Sequence, residues 1–143
     1  PDMRYGSDET AQKYSRAPGY TECNRRSIQE MHRQTGVAKF DEKGLMKQGL
    51  IIRHLVLPAD TAGTKSIMQF IAREVSSETY ISLMSQYKPY YKALSHKPLD
   101  RPITVDEYEQ AILCMEECGL VNGWTQELGG QEDLAGIHIK PKE

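Results

Sequence analysis

Two adjacent basic side chains raise the first question of chemistry. Arg53 and His54 stand in the middle of residues 49–58, Gly-Leu-Ile-Ile-Arg-His-Leu-Val-Leu-Pro, the most apolar run of the chain. A β-branched and leucine run of this length, led in by Gly49 and closed by Pro58, predicts a strand buried on both faces. Length alone does not separate it from a buried helix segment. Arginine inside such a run is costly unless it meets an anion or a dense set of hydrogen bonds. Arg53 and His54 are therefore expected to point at something, either a structural acid or a ligand at the far end of the strand. For His54 the ordinary case is a satisfied core histidine.

A second stretch carries polar groups in quantity. Residues 85–92, Ser-Gln-Tyr-Lys-Pro-Tyr-Tyr-Lys, offer three tyrosines, an amide and two lysines. Such a mix lines a polar ligand site, seals a barrel mouth by stacking, or forms a solvent-facing loop with packed tyrosines. In residues 58–64, Gly63 and a helix start at Thr64 could accept an anion through free N–H groups, or make an ordinary strand-to-helix loop. Other chemistries lack a complete set. Cys114 and Cys118 share a helix face and Cys23 is remote, which makes no zinc or iron–sulfur spacing; inert buried or half-buried thiols are expected. His32, His54, His96 and His138 show no paired ligand spacing. No Gly-x-Ser-x-Gly elbow occurs. The acid pairs Asp41/Glu42, Asp106/Glu107 and Glu116/Glu117 fall in turns or on helix surfaces.

The elements that must position these residues follow from periodicity. Residues 2–4 read as the end of a strand, and Asp8, Glu9 and Thr10 open a short helix to about Arg16. Residues 20–34 are helical with a thin apolar side (Cys23, Ile28, Met31) and a solvated set of arginines, stopped at Gly36. A small hairpin turns at residues 41–44. The strand at 49–57 comes next, then a helix carrying Ile67, Met68, Phe70, Ile71 and Val75, with Thr64 as its N-cap. Residues 79–84 form a second strand. Strand, helix, strand make one βαβ unit, so the two strands should be parallel neighbours. Sites in parallel α/β folds lie at the C-terminal ends of strands, here residues 58–64 and 85–92. Thr104 and Glu107 form a capping box for a helix with Tyr108, Ala111, Ile112 and Met115 inward, ended by Gly119. Residues 1–119 are thus read as one α/β unit and 120–143 as an irregular tail, docked by Trp124 and Leu128.

Composition narrows the class. The chain has 143 residues, about one domain's worth, and a net charge of −2. That gives no support to nucleic-acid binding. No run of about 18 apolar residues predicts a membrane span, and acids and arginines interrupt any leader-like stretch at the start. Three cysteines suit a reducing, cytoplasmic setting. Pro1 in place of an initiator methionine suggests the tail half of a longer protein, or a processed or truncated product.

Several blocks in order resemble a known family. Residues 51–58 (Ile-Ile-Arg-His-Leu-Val-Leu-Pro), Ala62-Gly63-Thr64 and residues 84–89 (Met-Ser-Gln-Tyr-Lys-Pro) look like the C-terminal half of radical S-adenosylmethionine (SAM) enzymes. The group is the one similar to pyruvate formate-lyase activating enzyme. Pro1-Asp2-Met3-Arg4-Tyr5 resembles that group's Pro-Asp-Phe-Lys-Tyr, and residues 30–34 and 101–104 fit as well. The resemblance covers roughly residues 1–120.

What the resemblance implies is an α/β fold, the C-terminal part of a partial (βα)6 barrel with parallel strands. It implies two cofactors, SAM and a 4Fe-4S cluster whose Cys-x-x-x-Cys-x-x-Cys ligands are not in this chain. In the family the reduced cluster cleaves SAM to a 5′-deoxyadenosyl radical, which takes a hydrogen from the substrate, in some members a glycyl-radical protein. Asp2 and Arg4 match the acid and lysine of the Asp-x-Lys motif near SAM, with a planar fork replacing a point charge at Arg4. Arg53 matches an arginine close to SAM, Leu55 would offer backbone contacts, and Gln86 and Tyr87 lie at the last strand's end. The competing class is a non-catalytic α/β binding module or a remnant without the cluster loop.

Overall fold

The structure, a computed structural model, describes residues 1–126 and the backbone of Ile137–His138. It is a mixed α/β fold. Helices α1 (Asp8–Ser15) and α2 (Tyr20–Thr35) come first. Strands β1 (Lys39–Phe40) and β2 (Met46–Gln48) then pair as an antiparallel hairpin. Next are β3 (Ile51–Leu55), α3 (Thr64–Phe70) and β4 (Tyr80–Met84), followed by α4 (Val105–Glu117), β5 (Gly123–Thr125) and β6 (Ile137–His138). In the main sheet β3, β4 and β5 run parallel and β6 runs antiparallel to β5. Among the described residues this sheet is open and does not close into a barrel.

The βαβ unit holds, with Ile51 to Leu55 registered against Tyr80 to Met84. Residues 1–3 add a further parallel partner on the free side of β3. The Met3 N–H donates to the Arg53 carbonyl and the Arg53 N–H to the Pro1 carbonyl, each at 2.9 Å.

One face of the sheet carries the core. Leu50, Ile52 and Val56 of the third-strand region and Ile81 and Leu83 of β4 pack on Ile28 of α2, on Ile67, Met68, Phe70 and Ile71 of the α3 segment, and on Tyr108, Ala111 and Met115 of α4. Burial of these side chains supplies most of the driving force, about 25 cal/mol per Å² of apolar surface. A smaller cluster of Tyr5, Ala11, Leu57, Ala62 and Leu99 seats α1.

Local signals explain the ends. Ser7 caps α1 by accepting from the Thr10 N–H. The capping box of α4 is complete, with Thr104 accepting from the Glu107 N–H and Glu107 from the Thr104 N–H. Gly119, at φ +76, ends that helix.

Four expectations change. The third strand is not buried on both faces, because alternation puts Ile52 and His54 under the helices while Arg53 faces out. Gly63, not Thr64, is the N-cap of α3, since the Thr64 hydroxyl is held by His54. On α2 Met31 and Cys23 are exposed, leaving Ile28 as the buried anchor. Within the expected irregular tail, residues 123–125 form a strand that joins the sheet, at a spot only glycine can start. A Cβ on Gly123 would lie 1.9 Å from the Ile81 carbonyl oxygen. Leu128 lies outside the described residues.

Candidate functional site

The sheet's second face, which α2, α3 and α4 leave uncovered, gathers the polar groups. Register places Asp2 beside Arg53, Arg53 beside Ser82, and Ser82 beside Trp124, so the four share one row across adjacent strands. In-register residues of a parallel sheet point to the same side. The row exists because Arg53 alternates with Ile52 and His54, and Ser82 with Ile81 and Leu83.

Arg53 and Asp2 meet as a fork. Nε donates to Oδ1 at 2.6 Å and Nη2 to Oδ2 at 3.1 Å. The Arg53 bond, aided by the charges of Arg53 and Arg4, holds the Asp2 carboxyl below its ordinary range. Asp2 in turn raises the Arg53 guanidinium. The Arg53 side chain stays 57% exposed. Among the described residues its Nη1 and the Ser82 hydroxyl have no hydrogen-bond partner. An exposed pair contributes little stability, about 0–1 kcal/mol, so the arrangement is more a poised surface than a brace.

The row's surroundings are graded. Toward the strands' N-terminal ends, Phe40 of the hairpin packs on Tyr80 and Trp124, with ring centroids 5.0 and 6.3 Å away. Toward the C-terminal ends lie Leu55 and Met84, and then Gln86 and Tyr87. The Gln86 side chain is exposed and accepts from Gln126 Nε2 at 3.3 Å. The Tyr87 hydroxyl donates to the Leu99 carbonyl at 2.8 Å, and burial pushes its pKa up. Tyr87 is therefore committed to holding its loop. Arg4 is exposed, and its N–H donates to the Tyr20 hydroxyl. The structure thus brings Asp2 and Arg53 together, sets Arg4 and Leu55 beside them, and leaves Gln86 and Tyr87 at the rim.

His54, one residue on, has the opposite environment. It is fully buried, with Nδ1 2.8 Å from the Met3 carbonyl oxygen and Nε2 3.0 Å from the Thr64 hydroxyl. Burial lowers its pKa, so it is neutral, with Nδ1–H donating and Nε2 accepting from Thr64. It is a satisfied core histidine.

The loop at 58–64 offers no free anion cradle. Asp60 accepts the Thr64 N–H through Oδ1 and the Gly63 N–H through its carbonyl. The arginines of α2 are solvated except Arg25, which donates to Ser66 at 3.1 Å and lies over the Phe70 ring.

Sequence reasoning missed Ser82 and gave Trp124 only a docking role. Both are reached by register from Arg53 across the paired strands, a signal the structure shows and the sequence does not.

Metal-binding capacity is limited. Among the described residues no group of three or more His, Cys, Asp or Glu side chains is placed to hold a metal ion. Cys23 is exposed on α2, while Cys114 and Cys118 sit half-buried on α4, where burial pushes the Cys114 thiol up to about 11. Neither position suits a thiolate ligand, so these cysteines do not fit a four-iron cluster. Among the described residues no helix is long and apolar enough to cross a membrane.

Comparison with known proteins gives one informative match. The chain is 26% identical over 120 residues to an uncharacterised protein of Methanocaldococcus jannaschii, an alignment covering 83% of this chain and 31% of that protein. The chain therefore spans about a third of that relative's length. No family model matches, and no solved structure matches.

Proposed function

We propose that this chain is the C-terminal part of a radical SAM partial barrel and that the uncovered face of its sheet contributes to the SAM site. The observation that carries this reading is the Asp2–Arg53 fork on that face, formed between two of the six positions the sequence resemblance singles out. The donor set suits the ligand. The Asp2 carboxylate complements the ammonium and sulfonium charges of SAM, and the free Nη1 of Arg53 complements its carboxylate or ribose hydroxyls. Leu55, whose side chain packs on the small cluster at α1, offers backbone contacts, Arg4 sets the local charge, and Gln86 and Tyr87 form the rim. Once bound, SAM would supply a 5′-deoxyadenosyl radical for hydrogen abstraction. This chain's own residues bind and orient it. The cluster is held elsewhere, since the cysteines described do not fit it.

The second reading is a non-catalytic α/β binding module. The inert Cys114 and Cys118 favour it for this chain in isolation. The discriminating experiment uses a longer polypeptide that carries this chain with the coding sequence upstream of Pro1. After anaerobic loading with iron and sulfide and reduction, it should convert SAM to 5′-deoxyadenosine and methionine. A protein that takes up no cluster and forms no 5′-deoxyadenosine removes the enzymatic reading and leaves the binding module.

A further inference from the structure

Past the end of β4 the chain builds a turn that displays its apolar side chains outward. Tyr90, Tyr91 and Leu94 are 73%, 83% and 63% exposed. The backbone beneath them is ordered by its own bonds. The Ala93 N–H donates to the Tyr90 carbonyl and the His96 N–H to the Ala93 carbonyl, each at 3.0 Å. Ser95 Oγ donates to the Lys92 carbonyl at 3.0 Å. Ala93 packs against the small cluster at α1, and Tyr87 anchors the near end through Leu99. Tyr91 holds a left-handed conformation, φ +53, which is costly for an aromatic residue. A turn this well tied down presents its rings because of its conformation and not for want of a fold.

Charge adds the second observation. Residues 86–97 hold Lys88, Lys92, Lys97 and His96 and no acid, in a chain of net charge −2. All four basic side chains are exposed. The Lys92 ammonium lies 5.7 Å from the Tyr91 ring centroid, fixing one cation over one ring.

We propose that residues 88–97 are a docking surface for an acidic, extended polypeptide segment carrying apolar side chains. Three lysines around two tyrosines and a leucine match a few carboxylates alternating with apolar groups. Leu94 offers an aliphatic contact, which a stacked base does not need. Three lysines and a histidine on one short turn fall short of the extended basic stripe that a nucleic-acid backbone takes. The apolar groups sit on one short turn, too little to embed in a lipid surface as an amphipathic helix does. The turn follows the C-terminal end of β4, so a polypeptide held there lies beside the uncovered face. In that one respect the assignment rests on the function proposed above; the binding itself needs no SAM.

The test is fluorescence anisotropy of a labelled glutamate–tyrosine copolymer titrated with the 143-residue chain in the absence of SAM. Parallel titrations use an oligothymidylate and mixed phosphatidylcholine–phosphatidylserine vesicles. The triple variant Lys88→Glu/Lys92→Glu/Lys97→Glu should weaken copolymer binding by about tenfold or more, and Tyr90→Ser/Leu94→Ser by several-fold. Arg26→Glu/Lys43→Glu/Arg73→Glu, with the same charge change elsewhere, should have a much smaller effect. All three should keep the wild-type melting temperature. No copolymer binding, equal losses in the two triple variants, or tighter binding to oligothymidylate or vesicles would overturn the proposal. Copolymer binding through these residues in a protein that never cleaves SAM keeps the docking surface and removes the radical reading. SAM cleavage without copolymer binding removes the docking surface alone.

Discussion

Arg53 and His54 are neighbours in sequence and opposites in structure. His54 lies under the helices with both ring nitrogens occupied; Arg53 lies on the uncovered face, tied to Asp2 and still half open to solvent. The contrast extends to whole faces. Under the helices, Ile52, Ile81 and Leu83 are buried to completion. Across the sheet, Asp2, Arg53, Ser82 and Trp124 form a row in which, among the described residues, Arg53 Nη1 and the Ser82 hydroxyl have no hydrogen-bond partner. Stability and the proposed SAM recognition thus fall on two faces of one sheet, and substitutions on either side should separate the two properties.

The largest effect should come from the covered face. Leu83→Ala removes a fully buried side chain and should cost about 2–5 kcal/mol, read from a shifted urea midpoint at unchanged slope. A smaller loss would mean that the helices close readily over the gap and that this face is less tightly packed than its burial implies.

His54→Leu comes next. It leaves the Met3 carbonyl and the Thr64 hydroxyl without their partner, at about 1–3 kcal/mol. It should also change the pH dependence. The folded-state pKa of His54 lies below its ordinary 6.5 because burial disfavours the charged form. Below pH 6.5 the unfolded chain therefore binds a proton that the folded chain does not, and stability falls as pH drops. Above pH 6.5 the contribution is fully present. Urea midpoints between pH 7 and 5 should flatten in the variant relative to wild type.

Glu107→Gln is expected to be milder, about 1–2 kcal/mol. The Glu107 carboxylate accepts from Arg101, the Thr104 N–H and the Ala59 N–H, and so ties α4 to the loop after β3. The Arg101 guanidinium first, then the backbone N–H groups, pull its pKa from 4.5 to about 2. The stabilisation is complete above about pH 4.5 and is lost as pH falls through about 2. Acid-unfolding curves should show that slope in wild type and lack it in the variant.

Arg53→Ala should have the smallest effect on stability, below about 1 kcal/mol, because its pair with Asp2 is exposed.

Much of this division was legible in the sequence. Apolar periodicity located the βαβ unit, and Thr104 with Glu107 announced the last helix. Of the six positions that the family resemblance marked, two, Asp2 and Arg53, do meet. What misled was the run at 51–57 itself. Its near-continuous apolar character concealed an alternation in which Ile51 and Arg53 face away from the helix-covered core and Leu55 packs on the small cluster at α1. The strand at Gly123–Thr125 was hidden because three residues with a leading glycine carry no strand period. Only the close approach of Gly123 to Ile81 gives that glycine its reason. Ser82 and Trp124 acquire meaning through register, a property of strand pairs that neither segment displays alone.

The central claim, resting on the SAM site proposed above, is that the uncovered face binds and the covered face stabilises. Its most direct test is SAM affinity and urea midpoint measured together on the cluster-loaded longer protein, for wild type, Arg53→Ala and the surface control Arg26→Ala. Arg53→Ala should weaken SAM binding by about tenfold or more, the loss of a charged hydrogen bond, with a midpoint close to wild type. Arg26→Ala should change neither. Equal dissociation constants for the two variants, or a loss of affinity matched by a loss of stability in Arg53→Ala, would contradict the division of labour between the two faces.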